Sequence, residues 1–287
     1  MAALPGLGLG RAAVITQSTT AVANTLPAGG AIAVGLTYEM LGSWGFRAVD
    51  ATLYVAVTGI WNIFLKLALP VLSVAILALS GEGSGAFLTA ALIGLAVLFA
   101  AVTIFGAILW KEALARRLGD LGDRVAAAVM GLFRRRPRGD MGGRAVRFRR
   151  DTVGLIGRRW IQLTLTTVVS HLALFLILLL SLRHVGASAA QVSTAQVLAV
   201  FAFGRLISAL PITPGGLGVI ELGYIGGLVA AGGSRPEVVA AVLLFRVLTY
   251  AVQIPIGGAT YLIWKGRSSW RAPEGAPART RPAATER

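Results

Sequence analysis

Cysteine is absent from the 287 residues, histidine occurs twice, lysine three times, and 12 acidic residues face 27 basic ones. Without cysteine there are no disulfides and no thiolate-held metals. The acidic residues are too sparse for a paired-carboxylate or two-metal site, and no HExxH, GxSxG, DxD or Walker-type sequence occurs. No catalytic residue, metal or cofactor is therefore expected, and the chain is not read as an enzyme. The first ten residues carry no positive charge and lead into no compact apolar core, so no cleaved signal peptide is read.

What the chain has in quantity is apolar surface. It is 56% hydrophobic and 14% charged, with a mean hydropathy of +0.76. A soluble domain has no use for that much apolar surface, whereas several membrane spans do. Four stretches are long enough to cross a bilayer: 51–79, 86–110, 161–182 and 238–264. The net charge of +15 is concentrated in 111–159, which holds fourteen basic residues, and in the tail beyond Trp264. A nucleic-acid partner would suit such basicity, but beside apolar spans the simpler reading is cytoplasmic segments facing anionic lipid. No nucleic acid is expected. Lys and Arg divide 3 to 24, and Ala and Gly abound, which points to a GC-rich, bacterial genome.

Two proline–glycine interruptions stand out, Leu26-Pro27-Ala28-Gly29-Gly30 and Leu210-Pro211-Ile212-Thr213-Pro214-Gly215-Gly216. Each separates two apolar arms, in regions 12–44 and 190–232. Pro lacks an N–H and Gly is conformationally free, so both end helices. Inside a bilayer the freed backbone groups are tolerated only where protein or a water-filled cavity covers them. Paired Gly/Pro-interrupted segments in two halves point to a transporter's binding site. The arms are near or below the spanning limit, so re-entrant hairpins and full spans both remain open.

Orientation follows from the Arg/Lys asymmetry. The connection 111–160 is placed in the cytoplasm, and residues 113–133 read as an amphipathic helix on the inner leaflet or a linker helix packed on the protein. The Gly81–Gly85 turn has no basic residue and lies outside; the tail 265–287 lies inside. The first hairpin then enters from the cytoplasm and the second from outside. This predicts an all-α polytopic membrane protein with two inverted-repeat, re-entrant broken-helix hairpins. Its repeats are 1–110 and 161–264, and the spacing from break to following span agrees within two residues. Residues 134–150 and 268–287 are expected to be disordered.

Few ionisable residues lie in the apolar segments: Glu39, Lys66, His171, Arg205, Glu221 and Arg246. A charge at mid-bilayer costs about 2.5–3.5 kcal/mol even on a lenient scale, so each needs a partner or a cavity. Glu221 is expected to pair with Arg246 or Arg205, either as a structural ion pair or leaving one arginine to bind phosphate. Lys66 adds to that site or pairs with Glu39, and His171 is read as a hydrogen-bonded structural residue. Tyr38, Trp61, Tyr250 and Trp264 are read as packing or interfacial residues. Thr213 is expected to N-cap the outgoing arm, with Gly215 and Gly216 opening backbone N–H groups to an anion. Asn24, Gly29 and Gly30 offer the same at the first break.

The stretch Ala209–Glu221, with its Pro-Gly-Gly-x-Gly-x-x-Glu pattern, resembles the lysylphosphatidylglycerol synthase transmembrane-region family. Phe245-Arg246-Val247-Leu248-Thr249-Tyr250 and Asn24–Gly30 share the likeness, which covers most of 12–264. It implies similarity to the flippase half of multiple peptide resistance factors, which move aminoacylated phosphatidylglycerol between leaflets; other members accompany glycolipid and hopanoid pathways. The sequence has nothing like the cytosolic aminoacyl-transferase domain of the full synthases, so it is not expected to make the lipid. Further spans would precede the first break in such proteins, so a chain that begins late is expected.

The resulting expectation is a flippase in the cytoplasmic membrane that translocates an anionic phospholipid or lipid-linked phosphate. Its substrate-binding residues would be Asn24, Gly29, Gly30, Lys66, Arg205, Thr213, Gly215, Gly216, Glu221 and Arg246. A membrane glycosyl- or aminoacyl-transferase acting on a lipid carrier is the alternative, as is a non-catalytic member of a lipid-synthesis complex. Expected partners are an anionic headgroup and a second copy of the chain or a lipid-synthesis enzyme.

Overall fold

The computed structural model describes residues 2–81, 85–110, 141–209 and 213–270. These residues are helical, with no strand among them. In chain order they form α1 (Leu9–Thr25), α2 (Gly29–Ser43), α3 (Ala48–Leu79), α4 (Gly85–Trp110) and α5 (Met141–His184). Then follow α6 (Thr194–Ile207), a 3-10 turn (Pro214–Gly216), α7 (Val219–Ala230), α8 (Arg235–Arg246), a π turn (Val247–Ala251) and α9 (Gln253–Gly266). A last 3-10 turn covers Ser268–Trp270. The amphipathic reading of 113–133 and the residues Leu210–Ile212 lie outside the described residues.

Three helical runs are long and apolar enough to cross a membrane: Ala48–Leu79, Val146–His184 and Arg235–Gly266. At 1.5 Å per residue a 32-residue run is about 48 Å long, more than the ~30 Å hydrocarbon core. The last run joins α8 and α9 through the π turn. Helix α4 is a further apolar helix, with Leu95–Leu109 as its described apolar stretch. Apolar side chains point outward along these helices; Leu172, Leu176 and Leu180 form an exposed row on α5 at a spacing of four. In water such a face would have to be covered, whereas in lipid it is already solvated. The chain is an integral membrane protein with several apolar helices.

The helices around the two interruptions are short. Arms α1 and α2 have 17 and 15 residues, α6 and α7 have 14 and 12. Their lengths, about 18–26 Å, fall short of the hydrocarbon thickness. Local chemistry explains where α1 stops. Leu26 precedes Pro27 and is extended (φ −102°, ψ 144°), because the proline ring clashes with a helical predecessor. Ala28 then turns left-handed at φ 54°, and α2 starts at Gly29. Gly29 is required there, since a Cβ would sit 2.6 Å from the Val22 carbonyl oxygen. At its start α6 has a full capping box, with the Ser193 and Gln196 side chains each accepting from the other's backbone N–H.

Packing between the short and long helices is reciprocal. Helix α1, from the first interruption, packs on α9, while α6, from the second, packs on α3. The α1–α9 seam is close because Gly257 has no side chain; a Cβ there would strike Ala21 and the Gln17 carbonyl. Ser18 and Thr260 share a hydrogen bond of 3.0 Å across it. Small residues and hydroxyl bridges of this kind hold helices together where lipid removes the hydrophobic drive. In the second hairpin Gly204 receives the Tyr224 ring and Gly227 receives Val200. The core beside it comprises Leu178, Leu182, Phe201, Leu228, Val238 and Val242.

Two expectations of disorder, for 134–150 and 268–287, are overturned at the residues that are described, while 134–140 and 271–287 lie outside the described residues. Residues 141–150 are not disordered; they are the first turns of α5, which begins some twenty residues before the apolar stretch at 161. Arginine is a good helix former, and Phe148 packs against the cluster of Leu53, Val57, Leu155 and Leu163, so tertiary contact outweighs the basic composition. The tail is likewise ordered as far as Trp270. That ring lies edge-on to Trp44 and is flanked by the guanidinium groups of Arg11 and Arg267 at 5.9 and 4.9 Å.

The α1–α9 seam sets a first prediction. Gly257→Val should destabilise the protein by about 1–3 kcal/mol through overpacking, read as a lower unfolding midpoint in detergent. Gly258→Val, at a position open to its surroundings, should change the midpoint far less.

Candidate functional site

Both interruptions open on one cavity of about 1270 Å³. The first contributes Asn24 and Pro27–Ala31, the second Thr213, Gly215 and Gly216. Lys66 of α3 and Arg205 of α6 line it as well, together with Arg246 at the end of α8. Of the ten site residues named from sequence, nine lie on its wall. Glu221 does not; it sits behind Arg246 and holds it.

Arg246 is the most connected of these residues. Its Nε donates to Glu221 Oε1 at 2.6 Å, and its Nη2 donates to the Gly215 carbonyl at 3.1 Å. The guanidinium lies over the Tyr250 ring, 4.5 Å from its centroid. The Tyr250 hydroxyl in turn donates to the Asn24 carbonyl at 2.6 Å. A continuous chain of contacts therefore runs from Glu221 through Arg246 and Tyr250 to the last turn of α1, tying the two interruptions together. Gly215, with φ 59°, makes this possible, since any side chain there would occupy the Tyr250 ring's space.

Arg205 is not the partner of Glu221. Its Nη2 lies 3.4 Å from His171 Nε2, and its Nε is buried without an acceptor. His171 Nδ1 is 3.0 Å from the Thr167 carbonyl. A carbonyl only accepts and an arginine only donates, so Nδ1 carries the proton, Nε2 offers its lone pair and the ring is neutral. Lys66 is 8% exposed, and among the described residues no hydrogen bond or ion pair reaches it. Glu39, its alternative partner from sequence, is exposed. Three cations thus line the cavity, and among the described residues no carboxylate does.

The second interruption is built differently from the sequence expectation. Thr213 does not cap α7. Its hydroxyl donates to the Leu217 carbonyl at 2.9 Å, and α7 begins later, at Val219, after Gly218. Gly215, Gly216 and Gly218 all have positive φ, a run that an α-helix cannot include. A 3-10 turn therefore stands where a helix start was expected, whereas α2 does begin at the cavity wall, through Gly29 and Gly30.

Sequence reasoning missed part of the wall. Tyr250, read as a packing residue, lines the cavity, as do Thr249 and Gln253. The π turn brings them there: Val252 N–H bonds to the Val247 carbonyl, one residue wider than an α turn. The readable signal was Pro255, whose ring and missing N–H disrupt the carbonyl four residues earlier. Thr16, Gln17, Thr20 and Asn24 form a neutral polar stripe on α1, facing the cavity at helical spacing.

Residues 6–257, which include every cavity-lining residue, match the family described as Lysylphosphatidylglycerol synthase TM region. The chain belongs to the lysylphosphatidylglycerol synthase TM region family. Membership connects it with membrane lipids. No curated protein and no solved structure matches the chain. Within this family member the Pro-Gly-Gly-x-Gly-x-x-Glu stretch acts as one structural unit. Its first glycine seats Tyr250, its last glycine precedes α7, and its glutamate anchors Arg246.

The Glu221–Arg246 pair is a charge-assisted hydrogen bond, a class that contributes about 1.5–3 kcal/mol. Glu221→Gln should cost an amount of that order in unfolding free energy in detergent. In an Arg246→Met background the same change should cost much less, the difference giving the coupling between the two residues.

Proposed function

We propose that the cavity receives the anionic headgroup of a membrane lipid, and that the protein moves that lipid between leaflets of the cytoplasmic membrane without chemically changing it. The single observation that carries the reading is the junction of both helix interruptions with three cations, of which Arg246 alone has a carboxylate partner among the described residues. Bare cations in an apolar slab are costly, and an arriving phosphate group offsets that cost. The α1 stripe of hydroxyls and amides suits the neutral part of a headgroup.

The reciprocal packing of α1 on α9 and α6 on α3 supports an inverted repeat, in which each broken hairpin leans on the long helix of the other half. Both long helices carry a proline, Pro70 and Pro255, at nearly the same distance from their starts. In this reading the basic connection and tail face the cytoplasm, one interruption opens to each side, and the Arg246–Tyr250–Asn24 chain is the contact that must rearrange for access to alternate. A lipid-modifying transferase would require a carboxylate or metal site directed at the substrate, and the described wall offers no carboxylate.

The test is transport of a fluorescent anionic phospholipid in proteoliposomes, scored per folded protein. The intact chain should accelerate transbilayer movement, and replacing both Glu221 and Arg246, by Gln and Met, should reduce the rate at least about tenfold, the equivalent of 1.4 kcal/mol. Equal rates for the two proteins would refute transport through this cavity.

A further inference from the structure

The cations on the wall are not equivalent, and their difference bears on which anion fits; the inference rests on the reading that an anionic headgroup enters the cavity. Arg246 already has a carboxylate, and its Nε and Nη2 are engaged by Glu221 and Gly215. Lys66 and Arg205 have none. They stand on α3 and α6, two helices packed against each other, and both line the cavity. The neutral His171 ring accepts from Arg205 without bringing a negative charge. What remains is a pair of like charges, with Lys66 almost wholly buried and the Arg205 Nε buried without an acceptor. No wall residue among those described can neutralise them.

We propose that Lys66 and Arg205 form a subsite for a phosphate group carrying two negative charges, the terminal phosphate monoester or diphosphate of a lipid. A phosphodiester carries one charge and would leave one of the two cations bare. A phosphate monoester carries about −1.5 to −2 at pH 7 and presents three acceptor oxygens. Those oxygens match a guanidinium fork with free donors on one side and a compact ammonium on the other. An aminoacylated headgroup fits poorly, because its extra ammonium would meet only cations and neutral groups. The nearest carboxylate, Glu221, is taken by Arg246.

The experiment measures equilibrium binding to the full chain in detergent by native mass spectrometry, with phosphatidic acid and phosphatidylglycerol of identical acyl chains as probes. At about pH 7.5 phosphatidic acid should bind at least about tenfold more tightly. Near pH 5, below the second phosphate pKa of about 6, the preference should shrink toward parity. Lys66→Met and Arg205→Met should each lower phosphatidic acid binding to the phosphatidylglycerol level, while Lys66→Arg keeps the preference. Should the methionine variants fail to fold, the loss of preference on acidification of the unaltered chain carries the same test.

Inorganic phosphate and diphosphate serve as competitors to identify the source of the group. Competition that depends on Lys66 and Arg205 supports a subsite for the phosphate group itself, and its absence alongside phosphatidic acid preference supports one that reads the group on a lipid. Equal binding of the two lipids, or a preference that survives both methionine variants, would overturn the proposal. The outcome is separable from that of the transport reading. A chain that prefers phosphatidic acid yet moves no lipid refutes transport alone, and one that moves phosphatidylglycerol but shows no preference refutes the subsite alone.

Discussion

Lipid offers no hydrogen-bond partners and no counter-charges, so every broken helix end and every ionised side chain within it must find one inside the protein. This chain interrupts two helices and places several charges in its apolar segments, and the architecture gathers these liabilities in one place. The interruptions at 26–28 and around 214–218 both reach the same cavity. Arg246 serves the second of them directly, donating from Nε to the Glu221 carboxylate and from Nη2 to the Gly215 carbonyl. Through the Tyr250 ring and hydroxyl it also reaches the first. Removing that arginine would leave a carboxylate, a carbonyl and an aromatic face without their partner in a low-dielectric site.

Close packing makes this arrangement possible, and glycine makes the packing possible. Gly257 brings α1 against α9, Gly204 brings α6 against the Tyr224 ring, and Gly215 leaves room for Tyr250. Each removes a Cβ where two backbones or a backbone and a ring must approach. The π turn has the complementary effect, widening the last long helix just where Thr249 and Tyr250 meet the cavity. Turns of this type lie often at functional positions. Here Pro255 supplies a local cause for it.

Much of the fold was legible in the order of residues. Apolar runs longer than twenty residues admit few structures other than membrane helices, and Pro-Gly clusters mark their interruptions because φ is restricted at one residue and unrestricted at the next. The rarity of charges in those runs also singled out Lys66, Arg205, Glu221 and Arg246. Less legible was anything decided by contact at long range. The helical state of 141–150 depends on Phe148 finding the α3–α5 cluster, and the order of Trp270 depends on Trp44 and Arg11, some 226 and 259 residues away. Thr213 does not cap α7 because the positive-φ glycines Gly215, Gly216 and Gly218 displace the helix start beyond its reach.

By itself the sequence determined that the chain is helical, apolar, membrane-embedded and twice interrupted, since composition and local backbone restriction act within a few residues. Only the tertiary structure decided which charge meets which. Glu221 is nearer to Arg205 than to Arg246 along the chain, yet its carboxylate pairs with Arg246. That choice leaves Arg205 beside a neutral His171, and Lys66 beside neither acid, so the cavity carries positive charge without a counter-charge on its described wall. Pairing is a property of three-dimensional distance, and linear spacing does not encode it.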